Sequence, residues 1–248
     1  YKRQHVDYVQ AGYTRRLDKD CYVDFDRIFA VSDETAGVFA GVYPECQQKL
    51  SVFHNLIDTE AIRQKALSPA EKSMHEGIRL LTVGRLTPQK GFDCAVYALK
   101  LLLEKQYPVY WYIIGEGPEY GRLTQLARSL HVEDHFIFLG MQTNPYPYFK
   151  MADFYIHATR FEGKSIAIQE AQVLGCAIAA SDCSGNREQI VSGVDGLLCP
   201  FSPEGIANAV EYLIEHPQTA ESFGRAAAQK ACHFENDIHM IRDLLYSP

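Results

Sequence analysis

No apolar run in these 248 residues approaches the ~18 that a membrane span needs, and no segment carries a signal-peptide pattern. The seven cysteines are odd in number and scattered, with no Cys-x-x-Cys pair and no tight Cys/His cluster. That argues against a disulfide framework or structural zinc and for reduced thiols in the cytoplasm. Cys94, Cys176 and Cys199 lie among apolar neighbours and read as small core residues. Positive charge is not in excess either. The formal charge is -7 with basic residues dispersed, so nucleic-acid binding has no electrostatic support. Internal repeats and low-complexity tracts are also missing. What remains, 47% apolar and 22% charged residues, is the composition of an ordinary globular protein.

The regular pattern begins at Ile78. Strands are predicted at 78–83, 109–114, 136–139, 154–158, 177–180 and 196–199, with helices at 92–105, 119–130, 144–150, 166–175, 185–191, 203–216 and 218–233. Strands alternating with helices predict an α/β fold, a doubly wound parallel sheet. Upstream, 27–32 and 49–54 read as short strands around a helix at 33–43, with Ser32 or Asp33 as its cap. Residues 61–77 read as a linker, 235–246 as a last helix, and the basic, aromatic 1–21 has no assignment. The chain starts at Tyr1 and not Met, and is expected to be a piece of a longer protein.

The central stretch is FYIHATRFEGKSIAIQEAQVLG, Phe154 to Gly175. It reads as a strand, a polar loop and a helix capped by Ser165. Ligands bind at that end of open α/β sheets, and a helix start favours an anion. Gly163-Lys164-Ser165 has the letters of a P-loop, but the glycine needed five positions earlier is Ala158, so an NTPase site is rejected. Two readings then stay open: a solvated loop, or a sugar-nucleotide site in which Glu162 and Glu170 accept from neighbouring hydroxyls. The loop GRLTPQKG, Gly84 to Gly91, offers Arg85 and Lys90 to a diphosphate. Gly115 and Gly117 would permit close backbone approach to a ligand, and Gly140 to Asn144, with Met141, lies where a base could meet backbone groups. His131 and His157 read as surface or packing histidines, and Tyr146 and Tyr148 as helix packing. Asp24-Phe25-Asp26 has the letters of a metal-binding DxD and is not assigned a metal.

Taken together, VGRLTPQKG, IIGEGP, FLGMQTN, FEGKSIAIQEA and GNREQIVSGVDGLL, between Val83 and Leu198, resemble glycosyltransferase family 4, whose members are retaining enzymes of GT-B fold. The likeness covers about 78–200 and, more weakly, 28–58. It implies that Arg85, Lys90 and Glu162 are catalytic: the cations hold the donor diphosphate, and the carboxylate meets donor-sugar hydroxyls. Glu170 would accept from ribose hydroxyls. Gly163, Lys164 and Ser165 would offer backbone amides, and Gly84, Gly115, Gly117 and Met141 would complete the donor site. The family commonly has Gly-Phe or Gly-Tyr after the first Glu, where this chain has Gly163-Lys164-Ser165.

The resemblance divides the chain into a partial N-terminal, acceptor-side Rossmann-like segment with linker (1–65), a donor-binding domain (66–233) and a crossover helix (234–248). It implies a metal-independent transferase with no cofactor beyond its nucleotide-sugar donor, taken as a UDP-sugar. The acceptor would be a glycan or a lipid-linked glycan, in bacterial cell-surface polysaccharide synthesis. The upstream domain would bring the cytoplasmic protein to the inner face of the membrane as a peripheral protein. The alternatives are a non-catalytic nucleotide-sugar module and a GT-B enzyme of other chemistry, an epimerase or a phosphorylase.

Overall fold

The computed structural model describes residues 2–3 and 21–231. Two parallel sheets are present. The smaller joins β1 (Lys2–Arg3), β2 (Ile28–Ala30) and β3 (Leu50–Val52), with α1 (Asp33–Val42) between the last two. Ser32 caps α1, its hydroxyl accepting from the Thr35 N–H at 3.2 Å. The larger sheet holds β4 (Ile78–Val83), β5 (Val109–Ile114), β6 (Phe136–Gly140), β7 (Phe154–His157), β8 (Ala177–Ser181) and β9 (Leu197–Cys199), in the order β6-β5-β4-β7-β8-β9.

Its central strands are apolar on both faces because both are covered, as parallel winding requires. Leu80, Trp111, Ile113, Ile156 and Ala179 point to one side. There they meet α3 (Phe92–Glu104), α4 (Tyr120–Ser129), α8 (Pro203–Glu215) and α9 (Pro217–Ala231). Leu81, Tyr112, Tyr155, Ile178 and Ala180 point to the other, toward α5 (Tyr146–Met151) and α6 (Ile166–Val173). The stripe Phe92, Ala95, Val96, Leu99 and Leu102 explains why α3 is a helix and which face it buries. Trp111, fully buried, donates its ring N–H to Thr82 Oγ1 at 2.9 Å, and Thr82 in turn donates to the Ile156 carbonyl at 2.7 Å. No buried polar atom of that trio is left unpaired.

The strand order fixes where a ligand can sit. From β4 the chain builds outward to β5 and β6, then returns to place β7 on the opposite flank of β4. The loops after β4 and β7 therefore diverge to opposite faces and leave a crevice between them.

Several expectations need correction. The segment read as linker from 61 opens instead with α2 (Thr59–Lys65), capped by Asp58, whose carboxylate accepts from the Ala61 N–H at 2.8 Å. Ile57 and Ile62 pack with Val173 and Ala231, so this helix sits on the larger unit. The helix expected over 185–191 is the single turn α7 (Ser184–Arg187): beyond it the Gln189 N–H turns back to the Asn186 carbonyl at 3.0 Å, and the Val191 N–H goes to Asp195 Oδ1 at 2.7 Å. Cys94 and Cys199 are buried, whereas Cys176 is only partly so. The last helix expected over 235–246 lies outside the described residues. Among the described residues no helix is long and apolar enough to cross a membrane, and no group of three or more His, Cys, Asp or Glu is placed to hold a metal ion.

Gly185, in α7, lies under the loop after β7. A Cβ there would stand 2.2 Å from the Glu162 carbonyl oxygen and 2.3 Å from that of Gly163. Gly185→Ala is expected to destabilise the fold by about 1–3 kcal/mol through overpacking against backbone that has little room to move. Urea denaturation reads the loss; an unchanged midpoint would mean the loop is not wedged there.

Candidate active site

The Gly84–Gly91 loop and the loop after β7 are bound together through main-chain contacts. The Arg160 N–H and the Thr159 hydroxyl both donate to the Gln89 carbonyl, at 2.8 and 3.1 Å, and Gln89 Nε2 donates to the Phe161 carbonyl at 2.9 Å. Arg160 clamps the Asp93 carboxylate with two bonds of 2.9 and 2.7 Å. The loop carrying the cations is thus fixed against the loop carrying Glu162.

Between them lies a cleft of about 330 Å3, whose lining includes Gly84, Arg85, Lys90, Glu162, Lys164 and Glu170. Ser165 also lines it. Arg85 is exposed, and its guanidinium has no hydrogen-bond or ion-pair partner among the described residues. The Lys90 ammonium pairs with Glu162 Oε2. His157 Nε2 stands 3.6 Å from the same oxygen, a long approach across which a ring N–H still favours the charged carboxylate. Burial alone would push the Glu162 carboxyl up; the imidazole and the Lys90 ammonium outweigh it and hold the carboxyl down at about 2. Burial pushes His157 down, against the pull of Glu162, so the imidazole stays neutral near pH 7. Glu170 is pushed up by burial, partly offset by the Tyr146 hydroxyl, which donates to its Oε1 at 3.0 Å.

Other expected site residues fall elsewhere. Gly115 and Gly117 do not line this cleft. The backbone they admit in this structure is that of the first loop: a Cβ on Gly115 (φ +143°) would be 2.0 Å from the Gly84 carbonyl oxygen, and one on Gly117 2.4 Å from that of Leu86. The Leu86 N–H donates to the Glu116 carbonyl at 2.9 Å, locking the two loops. The two glycines, with Glu116, Leu139, Gly140 and Lys72, line a second cavity of about 540 Å3. Met141 stands next to it with 71% of its surface exposed. Gly163 is buried over α7.

Ser165 corrects its expectation most directly. Its N–H is not offered to the cleft, since it donates to Gln189 Oε1 at 2.6 Å, and Gln189 Nε2 donates back to the Ser165 carbonyl at 2.8 Å. The Ser165 hydroxyl caps α6 at the Ile168 N–H. Gln189, almost fully buried, is itself held through its carbonyl, which accepts from Gln172 Nε2 at 2.8 Å and from Lys230 at 2.7 Å. Sequence reasoning missed Gln189, Tyr146 and the nearness of His157 to Glu162. None of the three has a spacing signature, and only the motif letters around Gln189 pointed at its neighbourhood.

Residues 63–230 match the family described as glycosyl transferases group 1, and the chain belongs to that family. It is 30% identical over 200 residues to the N-acetylgalactosamine-N,N'-diacetylbacillosaminyl-diphospho-undecaprenol 4-alpha-N-acetylgalactosaminyltransferase of Campylobacter jejuni, covering 80% of this chain and 53% of that protein. It is 28% identical over 208 residues to a glycogen synthase of Mycobacterium tuberculosis, covering 81% and 47%. The chain thus spans about half the length of the curated relatives it matches. Among solved structures, Anabaena HepE in complex with UDP and glucose superposes with a TM-score of 0.85 at 20% identity, over all of this chain and 71% of that one. Staphylococcus aureus TarM, in a complex containing UDP, gives 0.82 at 16% identity, over 99% and 50%. At these identities the likeness is one of fold, and the fold is that of GT-B glycosyltransferases.

The buried pair makes a pH prediction. The folded value of Glu162 lies below its ordinary one, so its contribution is fully present above about pH 4.5 and is lost as pH falls toward 2. The shift corresponds to about 3 kcal/mol. Unfolding free energies from urea titrations between pH 6 and 2.5 are expected to fall more steeply for the wild-type protein than for Glu162→Gln. Parallel curves would show that the pair contributes nothing.

Proposed function

We propose that the protein is a glycosyltransferase that moves a sugar from a nucleoside diphosphate, UDP, to an acceptor hydroxyl with retention of anomeric configuration. The observation that carries this reading is the composition of one cleft at the switch point of the sheet. Arg85 and Lys90 reach it from the loop after β4, and the carboxylates Glu162 and Glu170 from the loop after β7 and from α6. In the reaction the bond from the anomeric carbon to the β-phosphate oxygen breaks and its electron pair goes to the diphosphate. The acceptor oxygen then bonds the same carbon, and the hydroxyl proton passes to the leaving phosphate. Charge develops on the diphosphate, where a guanidinium and an ammonium stabilise it without a metal ion and without a protein nucleophile.

Glu162, charged through the physiological range, accepts from donor-sugar hydroxyls, and Glu170 from those of the ribose. UDP is supported by the UDP-containing complexes of the fold's neighbours. A glycan or lipid-linked acceptor, in bacterial surface polysaccharide synthesis, is supported by the diphospho-undecaprenol named for the Campylobacter relative and by an amylovoran biosynthesis glycosyltransferase of Erwinia amylovora, 27% identical over 175 residues. A peripheral position at the inner face of the membrane, through a domain upstream of this one, belongs to the same reading.

Because Lys90 and Glu162 pair with each other, the two substitutions are expected to act in opposite senses on UDP. Lys90→Ala removes a charge-assisted contact to phosphate and should raise the Kd for UDP about tenfold or more. Glu162→Ala releases the ammonium, so UDP should bind at least as well as before while the UDP-sugar binds worse. Titration calorimetry measures both, and equal losses of UDP affinity would sink the assignment. A thermal-shift panel of UDP, GDP, ADP and their sugar conjugates, with and without EDTA, tests the base and the metal independence. A UDP-selective rise in Tm that EDTA leaves unchanged is expected.

A further inference from the structure

Tyr146 opens α5, on the face of the sheet that also carries α6. Its ring packs beside Leu174 against the cluster of Ile57, Ile62 and Val173. Its N–H donates to Asn144 Oδ1 at 3.4 Å, and Asn144 Nδ2 donates to the Lys65 carbonyl at the end of α2 at 2.9 Å. The ring is therefore held from two sides, and its hydroxyl donates to Glu170 Oε1 at 3.0 Å. The Glu170 carboxylate has no other hydrogen-bond partner among the described residues, yet it lines the cleft from a largely buried position.

We infer that Tyr146 is the positioning residue of the donor site: by occupying one oxygen of Glu170 it fixes the carboxylate so that its other acceptor positions face the two ribose hydroxyls. This rests on the reading of Glu170 as the ribose acceptor. A glutamate has three side-chain torsions, and one hydrogen bond from a rigid ring removes most of that freedom before the ligand arrives. The donor also favours the charged form against burial, and a protonated carboxyl would lose acceptor capacity. Burial and the neighbouring carboxylate push the phenol itself up to about 12, so it stays a donor across the working pH range.

The test compares the Kd for UDP with that for 2′,3′-dideoxy-UDP in the wild-type chain, Tyr146→Phe, Glu170→Gln and the double variant. Tyr146→Phe keeps the ring and its packing, so loss of fold is not expected, and affinity for the dideoxy nucleotide should be unchanged. The preference for UDP should shrink about five- to tenfold in Tyr146→Phe. It should shrink at least as much in Glu170→Gln, and no further in the double variant, because both changes remove one function. A wild-type preference that survives in Tyr146→Phe overturns the positioning role alone. Equal weakening of both nucleotides in Tyr146→Phe, or additive losses in the double variant, also overturns it. A wild-type chain that binds both nucleotides equally overturns the ribose role of Glu170 and the inference with it.

Discussion

The site depends on a single topological constraint: β4 and β7 are neighbours, although 70 residues separate the ends of β4 and the start of β7. Side by side and parallel, they deliver two loops to the same end of the sheet, and the loops diverge there. Everything chemical about the cleft follows from that adjacency. Lys90 and Glu162 are 72 positions apart in the chain and form one ion pair. Other strand orders would leave two unrelated charged loops on two parts of the surface.

Close approach of backbone is the second condition. The loop after β4 lies on the loop after β5, and the loop after β7 lies on α7, at distances that exclude a side chain. Glycine stands at those crossings, at Gly115 and Gly117 in the first case and Gly185 in the second. These residues act by what they omit. Their role is to bring loops together, and it is exerted at one remove from the cleft. A glycine within a motif does not reveal from the sequence whether the backbone it admits belongs to a ligand or to its own chain.

Electrostatics then divides the labour between two carboxylates of one cleft. Glu162 is buried, but an ammonium and an imidazole border it, so it is held ionised. Glu170 is buried beside a neutral phenol and rises instead. The same side chain has two different acidities because its neighbours differ in charge. The ion pair of Lys90 with Glu162 also means that any anion entering the cleft would compete with that carboxylate for the ammonium.

The sequence alone determined the parallel α/β winding, most strand positions and the helix caps at Ser32 and Ser165. Each of these is a local matter: apolar runs of five or six residues, turn residues after them, and a hydroxyl or carboxylate one step before a helix. The strand over 78–83 and that over 109–114 were legible to the residue for this reason. Motif letters also marked the two charged loops. Tertiary structure alone decided that Gln189 would take the N–H of Ser165, that His157 would face Glu162, and that Tyr146, which looked like packing, would hold Glu170. Two of those contacts join residues 24 apart, Ser165 with Gln189 and Tyr146 with Glu170, across elements whose relative position is set by sheet order and helix packing. A pattern of a few residues carries local preference, whereas the partner of a buried polar group is settled only when the whole core has closed around it.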